Sequence, residues 1–178
     1  MTDKIFNRAG VKAMIHHVTR QYALEPDKLG AVKLHKILWN TEIQLLRRGY
    51  DVTGESFIKH DFGPFSEHLD ELMNELVAEG LLTVSKPSEE YEVTRFVGKG
   101  TADRSALTDD QWRVLEQTRE RIVEDHSATS ISERSHGFVW EATEMYEPMS
   151  PIAEALQWGR KLSRELTEQI VDEARTLT

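Results

Sequence analysis

The stretch 28–48 constrains the fold more than any other part of the chain, because its apolar residues cover two faces of a helix. One face carries Leu34, Ile37, Leu38, Thr41 and Leu45, and the other carries Val32, Trp39, Ile43 and Leu46. A helix that is apolar on two faces is enclosed by its neighbours. Two arginines in the last turn and Gly49 after them predict where the helix ends. We therefore expect this segment to be the central helix of a mainly α domain.

Other segments predict further helices around it and one small β-hairpin. Apolar residues recur at helical spacing over 10–24, 65–79, 130–136 and 151–176, and from a capping box at Thr108 past Ile122. Pro64 is expected to open the helix over 65–79, and Ser130 with Glu133 to form a second capping box. Alternation over 82–95 predicts the hairpin. The expected fold is a single compact helical domain over 1–178, with a winged-helix-like middle portion and a partly extended last helix.

The composition excludes several classes of function. The chain has 178 residues, 39% of them hydrophobic, which is enough apolar material for a core. It has no cysteine, so disulfides, thiolate catalysis and cysteine-bound zinc are excluded. No apolar run approaches the roughly 20 residues that span a bilayer, and no secretory leader is recognised. We expect a cytoplasmic protein without a membrane partner.

The distribution of charge argues against nucleic acid and for a protein partner. The formal net charge is -9. The helix predicted over 65–79 has no lysine or arginine, and its exposed face carries Glu67, Asp70, Glu71, Glu75 and Glu79. A winged-helix regulator would bring this helix to the phosphate backbone, where like charges repel. A DNA-binding regulator is therefore the alternative interpretation, and the acidic face is a candidate surface for a protein partner.

Two groups of basic residues are expected at the surface. One group lies on the second helix and comprises Lys33, Lys36, Arg47 and Arg48, and the other lies on the last helix and comprises Arg160, Lys161 and Arg164. We expect both groups to be mainly solvated, with contact to a partner as the alternative.

The sequence contains no convincing catalytic, cofactor or metal site. Glu133 and His136 have the spacing of half a di-iron carboxylate site, but a second such pair is missing. There is no Gly-x-Ser-x-Gly nucleophile motif and no phosphate-binding glycine loop in the required strand–helix context. We expect the protein not to be an enzyme and to need no cofactor. A metal-dependent enzyme built on Glu133 and His136 is the second alternative.

Three short motifs, in order along the chain, resemble those of one protein family. Residues 33–39 (KLHKILW) resemble a Lys-Leu-Gln-Lys-Leu-Leu-Tyr signature, 62–64 (FGP) resemble a Tyr-Gly-Pro turn, and 131–136 with Trp140 resemble a Leu-Ser-x-x-Thr-His…Trp element. The family is the Panacea antitoxin domain, also called SocA-like or the phage-associated GepA-like domain. The similarity covers about 28–158. Its motif residues here are Lys33, Leu34, His35, Lys36, Trp39, Phe62, Gly63, Pro64, Ser132, His136 and Trp140.

The resemblance implies an antitoxin of a toxin–antitoxin system that acts by binding protein. Family members neutralise a cognate toxin by direct contact, and in at least one branch the domain delivers the toxin to a protease. No cofactor or catalytic residue is associated with the domain. The pairing of the motifs also implies that Ser132 and His136 hydrogen-bond across the core to the backbone of Phe62 and Gly63. The resemblance does not specify the toxin, the contact surface or the oligomeric state.

Overall fold

The computed structural model describes residues 6–86, 94–157 and 159, and the fold in these ranges is mainly helical, as expected. Tyr91 and Val93 of the expected hairpin and the basic group at 160–164 lie outside the described residues, as does the end of the expected last helix. The helices are α1 Arg8–Gln21, α2 Gly30–Arg47, α3 Leu69–Ala78, α4 Asp109–Asp125, α5 Ala128–Arg134 and α6 Phe138–Ala142, followed by a helical stretch at 151–157. Short 3-10 turns occur at Pro26–Lys28 and Arg104–Ala106.

The strands form two small antiparallel sheets. They are β1 Phe57–His60, β2 Gly63–Ser66, β3 Leu82–Ser85, β4 Arg95–Gly98 and β5 Pro148–Met149. The first sheet has the order β2-β1-β5, and the second pairs β3 with β4. The expected hairpin is confirmed as a β3–β4 pair, but its second strand lies later than expected: it begins at Arg95 and ends at Gly98, which lies opposite Leu82. Among the helices described, none is both long and apolar enough to cross a membrane.

Helix α2 lies at the centre of the core, as its two apolar faces predict. It packs against α1, α4, α5 and the β2 strand. The whole first face is buried, and on the second face Trp39 and Ile43 are buried while Val32 and Leu46 are partly covered. The buried side chains of α1, α3 and α4 join the same apolar cluster. Removing this much apolar surface from water is what stabilises α2 in its central position.

The prediction that Pro64 opens a helix is wrong, because Pro64 lies in strand β2. Lys59, which lies opposite Pro64, directs both of its backbone groups away from β2. Its N–H donates to the Glu147 carbonyl at 3.0 Å, and its carbonyl accepts from the Tyr146 N–H at 3.0 Å. Proline has no N–H, so this non-bonded position on an edge strand costs the ladder nothing. Helix α3 therefore begins later, at Leu69.

The two predicted capping boxes have different outcomes. The Thr108 box is confirmed, because Thr108 and Gln111 exchange hydrogen bonds at the start of α4. The second box is wrong. The cap of α5 is Ser127, whose hydroxyl accepts from the Ser130 N–H at 3.0 Å. Ser127 and Ser130 are both residue types that cap helices well. Because Ser127 is the one that caps, helix α5 begins at Ala128, earlier than expected.

Candidate protein-binding site

His35 and Lys36 of α2 cover the free edge of strand β2. The Lys36 Nζ donates to the Pro64 carbonyl at 2.7 Å, and the Ser66 N–H donates to the His35 Nδ1 at 3.0 Å. The Pro64 carbonyl and the Ser66 N–H both point away from β1. They lie on the edge of β2 at which an additional strand would otherwise pair. An edge strand with unpaired backbone groups is a site of non-specific pairing. Two consecutive helix side chains therefore replace the missing strand.

The expectation that Lys33 and Lys36 lie at the surface is wrong. Lys36 is only 2% exposed, and burial lowers the pKa of its amine to about 7. Lys33 is also buried, and its Nζ donates to the Val123 carbonyl at 3.1 Å. Burial lowers the pKa of Lys33 too. Their aliphatic stems lie in the packed interior, and a backbone carbonyl accepts from each amine. Arg47 and Arg48, in contrast, are exposed as expected.

The neighbouring histidine is held in its neutral form. Burial, followed by the nearby charge of Lys36, lowers the pKa of His35 to about 3. A neutral imidazole keeps one nitrogen as an acceptor, which is the role that Nδ1 plays toward the Ser66 N–H. The His35 ring also packs against Phe65, with ring centroids 3.9 Å apart and the ring planes tilted by 31°. His35 is thus a packing and backbone-binding residue of the core.

The third motif, which lies near α5 and α6, contacts the same β1–β2 hairpin. The Trp140 Nε1 donates to the His60 carbonyl at 3.0 Å, and the His136 ring stacks on Trp140 with centroids 3.8 Å apart. Lys59 completes the stack, with its Nζ 4.0 Å from the centroid of a Trp140 ring. The structure thus brings the three motifs, which are far apart in sequence, together around the β1–β2 hairpin.

The expected hydrogen bonds from Ser132 and His136 to the Phe62–Gly63 backbone need correction. The backbone of Asp61, one residue earlier, faces His136, and the net effect of burial lowers the pKa of His136. The His136 Nε2 is buried and has no hydrogen-bond partner among the described residues. Within the same residues, the Ser132 hydroxyl makes no hydrogen bond to the hairpin. Ser135, not Ser132, brings its hydroxyl against Gly63.

Gly63 is required by both its backbone and its surroundings. Its φ of +92° lies in the region that side chains disfavour. A Cβ at this position would overlap the Ser135 hydroxyl and come within 2.9 Å of the Lys36 Nζ. The remaining motif residues belong to the core: Leu34 is fully buried, and Trp39 packs edge-on against Phe57 at 5.1 Å.

The outer side of the hairpin carries two exposed aromatic residues and a half-buried histidine, which we call the hairpin patch and define as His60, Phe62 and Tyr146. Phe62 is 59% exposed and Tyr146 is 62% exposed. The His60 ring lies between them, with centroid distances of 6.1 Å to Phe62 and 5.9 Å to Tyr146. Tyr146 has a φ of 66°, which is uncommon for a residue other than glycine. Sequence reasoning found Phe62 through its motif, but no local pattern pointed to Tyr146.

The acidic face of α3 is largely used within the molecule. Arg8 of α1 binds Glu71 at 2.9 Å and also binds Glu75. Lys12, one turn further, binds Glu75 at 3.1 Å and Glu79 at 2.6 Å. Hydrogen bonds from Arg8 and then Lys12 lower the pKa of Glu75. Of the five carboxylates proposed as a partner surface, Glu67 and Asp70 are the two exposed ones outside this set of ion pairs.

The metal-dependent alternative rests on Glu133 and His136. Among residues 6–86, 94–157 and 159, no set of three His, Asp or Glu side chains is arranged to hold a metal ion. Glu133 is exposed, while its expected partner His136 is stacked on Trp140. Comparison of the chain with family models, with curated proteins and with solved structures gives no match. The similarity to the Panacea family is therefore carried by the three motifs alone.

Proposed function

We propose that this chain is a protein-binding domain of the antitoxin type, which neutralises a cognate toxin by direct contact through the hairpin patch. The observation that carries the proposal is the pair of exposed rings, Phe62 and Tyr146, on the outer side of a hairpin. Aromatic residues are enriched among the side chains that dominate binding energy at protein interfaces. The antitoxin role itself comes from the resemblance of the motifs.

The way the hairpin is held supports a binding role. Lys36 and His35 attach to its β2 edge, and Trp140 attaches to the His60 carbonyl at 3.0 Å. On the other edge, strand β5 pairs with β1. A surface that is already ordered loses little conformational entropy when a partner binds. The motif residues other than Phe62 thus act behind the patch, as its support, and the partner meets the patch itself.

Two further features belong to the same proposal and rest on the resemblance. One is a cytoplasmic location, where a toxin would be met. The other is an adaptor role, in which the bound toxin is passed to a protease.

The test is co-expression of the chain with each flanking open reading frame, scored by growth rescue and by co-purification. We expect one neighbour to be toxic alone, rescued by this chain and purified with it. The double variant Phe62→Ala/Tyr146→Asn should raise the Kd for the toxin at least about tenfold. Asparagine is chosen at 146 because it tolerates a positive φ.

The matched control is Leu24→Ala, which removes a large apolar side chain that is 95% exposed from the turn after α1. Its affinity should equal that of the wild type, and all variants should melt at the same temperature. Rescue that survives the double variant would refute the role of the patch. If no neighbour is toxic, the antitoxin role fails, and a salt-sensitive gel shift would then support the DNA-binding alternative.

A further inference from the structure

A groove on another part of the surface has an apolar floor. It lies between α2, α4, α5, α6 and the helical stretch at 151–157, and its volume is about 480 Å³. Trp39, Ile43, Ile122 and Ile131 form the floor and are buried. Phe138, at the start of α6, also lines the groove and is 58% exposed. Cavities of this size accommodate a few side chains of a bound segment.

The groove is cationic, although the chain as a whole is acidic. Arg121 of α4, Arg134 of α5 and Arg47 of α2 line it beside the His126 ring, and among the described residues Glu154 is the one carboxylate that faces them. Arg121 and Arg134 have no hydrogen-bond or ion-pair partner among the residues that the structure describes. Although the formal net charge of the chain is -9, guanidinium groups surround the apolar floor of this groove.

Glu154, the carboxylate that lines the groove within the described ranges, already accepts a hydrogen bond. The Glu154 Oε2 accepts from the Val139 N–H at 3.4 Å, at the beginning of α6. A carboxylate that accepts from a backbone N–H in the first turn of a helix is stabilised by the local backbone dipoles. The other acidic residues of α4 near this region, Glu120, Glu124 and Asp125, line a separate depression that shares Arg121. Arg134 is therefore the groove cation best suited to a test.

We propose that this groove binds an acidic peptide segment of a partner protein, with an apolar side chain of the segment seated on the floor. Clusters of arginine are a recurrent means of recognising acidic motifs. The cations come from three different helices, so they suit several carboxylates spread along a segment better than one small anion. An apolar anchor would cover the exposed Phe138 ring and displace water from it. This inference is independent of the hairpin patch and of the antitoxin role.

The test uses fluorescein-labelled peptides and fluorescence anisotropy with the full chain. A short peptide that mixes Glu and Leu should bind saturably, and its Kd should rise with salt because the charges are exposed. Arg134→Glu should raise the Kd at least about tenfold, since it replaces attraction by repulsion. Lys86→Glu is the matched control, because it makes the same charge change at an exposed position outside the groove.

Two control peptides separate the parts of the inference. A peptide of the same charge that mixes Glu and Ser should bind at least about tenfold more weakly, because it lacks the apolar anchor. A peptide that mixes Lys and Leu should not bind. The inference is overturned if the Glu–Leu peptide does not saturate, if the Lys–Leu peptide binds equally well, or if Arg134→Glu and Lys86→Glu have the same effect. Growth rescue from a toxin through the hairpin patch is measured in a separate assay and does not depend on these results.

Discussion

The buried amine of Lys36 should make the stability of the protein rise with pH. Burial lowers the pKa of Lys36 from its ordinary value of 10.5 to about 7 in the folded chain. Between these two values the unfolded chain binds the proton more strongly than the folded chain does. The free energy of unfolding therefore increases as pH rises from about 7 toward 10.5.

The size of the effect follows from the two pKa values of Lys36. Each tenfold change in proton affinity between the folded and unfolded chains corresponds to about 1.4 kcal/mol, so the proton on Lys36 costs the folded state about 4 kcal/mol near pH 7. Near pH 9 the pH lies closer to the pKa that Lys36 has in the unfolded chain, and the cost of protonating Lys36 in the folded state falls to about 2 kcal/mol. We expect Lys36 to contribute a rise of about 2 kcal/mol in unfolding free energy over this interval.

The variant Lys36→Met isolates this contribution, because methionine has a similar length and no charge. It loses the 2.7 Å hydrogen bond to the Pro64 carbonyl, which costs about 1–3 kcal/mol. Near pH 7 this loss is offset by removal of the buried charge, so the variant should be as stable as the wild type or more stable. Near pH 9 the offset is smaller, and the relative stability of the variant should fall by about 2 kcal/mol.

The assay is urea unfolding of both proteins near pH 7 and near pH 9. His136, a titratable neighbour of this amine, has a lowered pKa and so titrates below the interval. Other groups that titrate between these pH values are common to both proteins and cancel in the difference. If the stability curves of wild type and Lys36→Met run parallel, the amine is not desolvated in the folded state and the reasoning about its burial is refuted.

Three other substitutions test local contacts of the fold by urea unfolding. Gly63→Ala should destabilise by about 2–4 kcal/mol, because alanine at a φ of +92° is strained and its Cβ overlaps the Ser135 hydroxyl; a loss below about 1 kcal/mol would contradict the close packing. Trp140→Phe removes the 3.0 Å bond to the His60 carbonyl and should cost about 1–2 kcal/mol, and unchanged stability would mean that this bond does not hold the hairpin. Thr108→Ala removes the cap of α4 and should cost about 1 kcal/mol; an equal cost for Thr101→Ala, at an exposed loop position outside any cap, would argue against capping as the cause.

Features set by local pattern could be predicted from the sequence. The two apolar faces of 28–48 indicated a central helix, and α2 occupies that position. The Thr108 box and the alternation around β3 and β4 depend on neighbours a few residues away, so the chain carries their signal locally. The short motifs named most of the residues that meet at the β1–β2 hairpin, although their contacts could not be deduced from their spacing.

Features that depend on distant partners were decided only by the tertiary structure. Pro64 has good helix-opening chemistry, but pairing with Lys59 places it in a strand, where its missing N–H is harmless. Lys36 has the sequence pattern of a surface cation, but its stem is buried and a carbonyl 28 residues away accepts from its amine. Tyr146 joins Phe62 and His60 only because β5 pairs with β1.

The candidate binding surfaces follow the same division. An exposed acidic face on α3 was readable from the sequence, but its neutralisation by Arg8 and Lys12 depends on α1 packing alongside. The cationic groove draws its residues from helices that are separated along the chain. The sequence by itself determined the main helices and their apolar faces, because both follow from neighbours in the chain. Which charges are buried, paired or gathered was decided by packing, because that depends on distances between segments that no local pattern encodes.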